Sequence, residues 1–181
     1  MADSTLWVGV LTAATALGAS LGTSLLTSRG NEKVARQQAL VNARATHLTE
    51  ARNRRREAYR ELIARAHDLS RILWRMEEVD RATDTTEARA LLREVQTASR
   101  PALNDVEKCV RDVLLEGPPS VSESAGKLNT VAIETRYYLC ELTDRDGHYR
   151  DRYESSYKAY EDQYLLFIEL ARHALEVPDA L

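Results

Sequence analysis

Apolar positions recur along this chain with helical spacing, and no stretch shows the period of two that a half-buried strand requires. From Asn31 to about Arg81 there is no Gly or Pro, and Val34, Val41, Leu48, Leu62, Leu69 and Met76 fall in one heptad register. The second seam position reads Gln38, Ala45, Arg52, Tyr59, Ala66 and Leu73. This predicts one long helix whose first half is an exposed or oligomeric stalk and whose second half, with Leu62, Ile63, Leu69, Ile72, Leu73 and Met76, belongs to a core. Asp84 with Glu87 has the spacing of a helix start. The helix through Ala88, Leu92, Val95 and Ala98 is expected to stop or kink at Pro101, because proline has no N–H to donate. Helical spacing resumes at Leu103, Val106, Val110 and Val113. Gly117-Pro118-Pro119 is the clearest break, and Ser120 with Glu123 has the spacing of a capping box for the next helix, which carries Val121, Ala125, Leu128, Ala132, Thr135, Leu139 and Leu142. Asp144 to Gly147 reads as a turn, and a last helix runs from about His148 to Glu176, before Pro178.

The N-terminal pattern differs. Ser4 to Ser28 is 25 residues without a charge, and Leu6 to Leu26 within it is 21 residues. A helix of that length covers the roughly 30 Å hydrocarbon core of a bilayer. Trp7 lies where an interfacial aromatic belongs. A buried soluble helix is the bland alternative, and a cleaved signal peptide fits worse because Asp3 and no Lys or Arg precedes the apolar run. Arg29, Lys33, Arg36 and Arg44 follow the span, so the positive flank orients it with the N-terminus outside and the remainder in the cytoplasm. Ala14, Gly18 and Gly22 form a row of small residues at four-residue spacing, which allows close approach of two helices and a homodimer through the span.

Composition sharpens this reading. Seven Gly and four Pro are few turn-formers for 181 residues, and two Cys cannot staple a fold of this size. A disordered chain, a collagen-like chain and a disulfide scaffold are excluded. The net charge of -3 conceals an asymmetry: residues 29–81 hold 13 Lys or Arg against 8 Asp or Glu, and residues 82–181 hold 12 against 19. A basic helix therefore precedes an acidic bundle. A cytoplasmic location suits Cys109 and Cys140 as unpaired thiols.

Three features carry candidate function. Arg52, Arg54, Arg55 and Arg56 form the densest basic run, suited to a solvated face, intramolecular pairing with the acidic half, or an acidic or phosphate partner. On an upright helix Arg54 lies about 35 Å beyond Arg29, outside the ~8 Å Debye length of a lipid surface. No zinc pattern or nucleic-acid motif accompanies the run, and nucleic acid is not an expected partner. Tyr149, Tyr153, Tyr157, Tyr160 and Tyr164 share one helical face continued by Ile168, Ala171 and Leu175, which suits bundle core more than a partner surface. Metal chemistry is weakly served. None of the four His follows a Glu by three residues, Glu169 and His173 are a lone pair, and Asp144, Asp146 and His148 open a calcium-like loop that Arg150 and Arg152 spoil. No cofactor, metal or catalytic set is expected.

The uncharged Gly/Ala/Thr-rich span, the basic helix, and then Arg54-Arg55-Arg56-Glu57-Ala58-Tyr59-Arg60-Glu61-Leu62-Ile63 resemble a group of small single-span helical membrane proteins of high-GC actinobacteria. An excess of Arg over Lys agrees. The resemblance covers the first third of the chain and implies topology, with no activity attached. The expected architecture is all-α: a transmembrane segment at 1–28, a basic juxtamembrane helix or stalk at 29–58, and an antiparallel cytosolic helical bundle at 59–181. The expected function is a membrane-anchored interaction or scaffold protein without catalysis, working with the bilayer, a possible second copy and an unidentified protein partner. The alternative is a membrane-acting effector, such as a pore-forming stress or defence protein with a sensing bundle.

Overall fold

The computed structural model describes the backbone of residues 3–143 and 147–176 and the side chains of residues 36–143 and 149–176. Within them the chain is all-α: α1 (Asp3–Trp74), α2 (Met76–Arg81), α3 (Thr85–Glu116), α4 (Pro119–Glu141) and α5 (Gly147–Glu176). It divides into two units, residues 1–50 and residues 51–181. The first is helical throughout its described backbone, and residues 36–50 are exposed along their whole length.

The second unit is an antiparallel four-helix bundle, and its cross-helix hydrogen bonds give the directions. As the α1 partner advances through Ile63, Ala66 and Leu73, the α5 partner retreats through Tyr164, Tyr160 and Tyr153. Gln96 of α3 donates to Leu139 O of α4 at 2.9 Å, and near the opposite end Ser122 Oγ donates to Val113 O at 3.3 Å. Gln163 of α5 donates to Ser124 O of α4 at 3.1 Å. Short connections force this arrangement, since a chain that reverses in two to six residues lays each helix antiparallel to the last.

The heptad seam is the core. Tyr59, Leu62, Ala66, Leu69, Leu73 and Met76 are all buried, and they meet Val95, Leu103, Val106 and Val113 of α3, Val121, Leu128 and Leu139 of α4, and Tyr160 and Phe167 of α5. Burying each large apolar side chain contributes about 1.5–3 kcal/mol, which is why the apolar period predicts the packing face. Tyr59 and Phe167 meet edge to face, with centroids 6.3 Å apart.

Helix boundaries follow local chemistry. Asp84 caps α3, its carboxylate accepting from Thr86 N at 2.9 Å. The expected continuous helix to Arg81 is interrupted at Arg75. There Arg75 N donates to Ile72 O and Glu78 N to Arg75 O, a tightened turn in which the Arg75 guanidinium holds Glu78 and reaches Glu94 of α3 at 3.0 Å. Pro101 does not stop its helix: α3 runs through it. Pro101 and Thr97, whose carbonyl loses the proline's donor, both lie on the exposed face, where the carbonyl is open to solvent, while Ser99 and Leu103 continue the buried stripe. The Ser120–Glu123 capping box does not form. Proline at 119 starts α4 two residues earlier, with Pro118 as the N-cap, so Ser120 lies inside the helix and Glu123 pairs with Lys127 at 2.8 Å.

Candidate functional site

The basic run sits where α1 enters the bundle. Arg52 and Arg55, three residues apart on one face, reach the ends of two different helices. Arg52 Nη2 donates to Leu175 O in the last turn of α5, and Arg55 Nε donates to Glu116 O, the last residue of α3, at 2.8 Å. Arg54 Nε pairs with the Glu116 carboxylate at 3.5 Å. The antiparallel order makes this possible, because α3 and α5 both end where the bundle part of α1 begins. The last carbonyls of a helix lack intrahelical partners and carry the negative end of its dipole, so a cation there satisfies both. The run is thus an internal cap for two helices. Residues that the heptad pattern assigns to a stalk belong to the bundle, whose unit begins at Ala51. Arg56 is exposed.

The tyrosine stripe is the seam between α1 and α5. Tyr153 and Tyr160 are buried, and their hydroxyls donate to Leu73 O at 2.8 Å and Ala66 O at 2.6 Å. Tyr164 donates to Ile63 O at 3.4 Å, and Tyr157 Oη lies 3.4 Å from Ser70 Oγ. Tyr149 is half-buried against the same core. Burial, which penalises the charged phenolate first of all, pushes the Tyr153, Tyr157, Tyr160 and Tyr164 hydroxyls up from their ordinary value. Of the five, Tyr153 and Tyr160 are closed to a partner in the folded bundle. At Tyr153 and Tyr160 the face is core, while the half-buried Tyr157 also lines a surface groove.

Among the described residues are surface grooves that arise only from the tertiary arrangement. One, of about 680 Å³, lies between α1, α2 and α5, with Trp74, Ile72 and Tyr157 beside His67, Asp68, Arg71 and Glu161. Trp74 is 49% exposed, an unusual position for the largest apolar side chain. Its signal in the sequence was its place one residue past the buried Leu73, off the seam. A smaller groove of about 330 Å³ brings Arg89, Arg93 and Gln96 of α3 to Cys140 of α4. Cys140 is exposed and Cys109 is buried, and burial first of all raises the Cys109 thiol, opposite to what a nucleophile needs.

Among the described residues no group of three or more His, Cys, Asp and Glu is arranged to hold a metal ion. Asp144 and Asp146 and the side chain of His148 lie outside the described residues. So do the side chains of Ala14, Gly18 and Gly22, with the rest of the uncharged stretch. Among the described residues no helix is long and apolar enough to cross a membrane. No family model, curated protein or solved structure matches the chain.

Proposed function

We propose that this is a membrane-anchored helical interaction protein without catalytic activity. Leu6–Leu26, within the segment 1–28, spans the bilayer once, the N-terminus faces outward, and the bundle lies in the cytoplasm. The observation that carries this reading is the charge boundary inside one helix: 25 uncharged residues, then Arg29, Lys33 and Arg36, with no helix break between Asp3 and Trp74. The resemblance to single-span actinobacterial proteins points the same way. Two free thiols, one of them exposed, suit a reducing compartment. The row of Ala14, Gly18 and Gly22 offers a packing face for a second span.

The structural use of several reactive side chains suits a protein without catalysis. Tyr153 and Tyr160 bond to backbone carbonyls, Cys109 is buried as a thiol, and Arg52 and Arg55 cap helices. The surface beside Trp74 is the part of the bundle best suited to a protein partner, since exposed tryptophan with arginine is the composition that dominates binding energy at interfaces. Alkaline extraction of membranes and topology reporters fused after Leu181 test the reading. Retention in the membrane with a cytoplasmic C-terminus is expected. Release by alkali, or an extracytoplasmic C-terminus, overturns it, and collapse of membrane potential on overexpression replaces it with the effector reading.

A further inference from the structure

The heptad register of α1 has two different fates. In the bundle the seam, Tyr59, Leu62, Ala66, Leu69 and Leu73 of α1 continued by Met76 of α2, is covered by the core of the other helices. In residues 36–50 the same register places Gln38, Val41, Ala45 and Leu48 in the seam, and there it is bare, with Val41 60% and Leu48 47% exposed. Among the described residues nothing covers this stretch. An apolar stripe on a helix that lies exposed along its whole length is normally matched by a second element.

The chemistry of the stripe selects the occupant. Gln38, the polar seam residue, donates one amide N–H to Asn42 Oδ1 at 3.1 Å within its own helix, which leaves its second N–H and its Oε1 to pair with its own copy across a two-fold axis. In a parallel, in-register pair the flanking positions bring Gln37 against Asn42 and Arg44 against Thr49 of the other copy. Like charges never face each other along this length, although Arg36 and Arg44 make the stretch basic. The stripe also has a defined end. The next seam positions are Arg52 and Arg55, which would set four guanidinium groups into an apolar seam. In the bundle they are instead held by Leu175 O and Glu116 O. The change of use falls at the boundary between Glu50 and Ala51 that separates the two units.

We propose that residues 36–50 pair with the same residues of a second copy as a parallel, in-register two-stranded coiled coil, with Gln38, Val41, Ala45 and Leu48 in the seam. This does not rest on the membrane reading, because the stripe pairs equally well in a soluble chain. The test uses the full-length chain carrying Cys140→Ser to remove the exposed thiol, with single cysteines placed in turn at positions 38, 41, 45 and 48 and at the off-seam positions 39, 43 and 46. Oxidative cross-linking is expected to be high at the first four and low at the last three. Val41→Asp with Leu48→Asp is expected to raise the dimer dissociation constant more than about tenfold. The near-UV circular dichroism melt of the bundle tyrosines is expected to stay unchanged. A flat cross-linking profile, a chain that is monomeric before any substitution, or a dimer lost on Gly18→Leu with Gly22→Leu but indifferent to the two aspartates overturns the proposal.

Discussion

Arginine at position 55 separates an internal cap from a docking patch. Arg55 is half-buried and its Nε lies 2.8 Å from Glu116 O, whereas the adjacent Arg56 is exposed. A hydrogen bond from a charged donor contributes about 1.5–3 kcal/mol, and a cation at a helix C-terminus about 0.3–1 kcal/mol. Half-exposure of the guanidinium screens both, so Arg55→Gln is expected to cost about 1–2 kcal/mol. Arg56→Gln, on the solvated side of the same turn, is expected to stay within about 0.5 kcal/mol. Urea unfolding of the full-length chain, followed by the near-UV signal of the buried tyrosines, reads both values from shifts in the midpoint at constant slope. Molar salt separates the contributions further. It is expected to abolish the effect of Arg54→Gln, whose partner is the Glu116 carboxylate at 3.5 Å, and to leave most of that of Arg55→Gln. Equal losses at 55 and 56, or a loss below 0.5 kcal/mol at 55 by the criterion for an ordinary surface site, would refute the cap.

Two further predictions address the core and the α3–α4 turn. Tyr153 and Tyr160 have folded pKa values raised above the ordinary 10, so their contribution is complete below pH 10 and is lost as the pH rises through the folded values. The alkaline limb of a stability–pH curve is expected to fall by up to about 1.4 kcal/mol per pH unit for each tyrosine. Tyr153→Phe with Tyr160→Phe flattens that limb while costing about 1 kcal/mol per lost hydrogen bond at neutral pH, and an unchanged limb would show the phenols to be free of the core. Gly117→Ala places a Cβ 2.8 Å from Val113 O and 3.2 Å from Tyr59 Oη. That carbonyl already accepts from Gly117 N and Ser122 Oγ, so it has little room to retreat. Melting measurements are expected to show destabilisation of about 1–3 kcal/mol for Gly117→Ala, against a gain of about 0.5–1 kcal/mol for Gly126→Ala, where the new methyl meets nothing within 4 Å. A tolerated Gly117→Ala would mean the turn is looser than its hydrogen bonds indicate.

Much of the fold was legible because a helix buries one stripe and repeats it. Every seam position from Tyr59 to Met76 is core, and α3 starts where the Asp84 cap puts it. Two departures from local preference come from tertiary context: Pro101 faces outward, where the carbonyl it leaves unbonded is exposed, and Arg75, tied to Glu78 and to Glu94 of α3, tightens a turn. The third is local, because Pro119 starts α4 ahead of Ser120.

By itself, then, the sequence determines an all-helical chain, the heptad seam, the uncharged N-terminal stretch and the basic-to-acidic division, because periodicity and charge are local properties that survive without a partner. It names the arginine run and the tyrosine stripe and leaves their use open. Only the antiparallel order of the bundle decides that use. It brings the C-termini of α3 and α5 to Arg52 and Arg55, turns Tyr153 and Tyr160 toward the carbonyls of α1, and collects Trp74 and Tyr157 into one groove. These contacts join residues from about 60 to more than 120 positions apart, a separation at which no periodicity within one helix carries information.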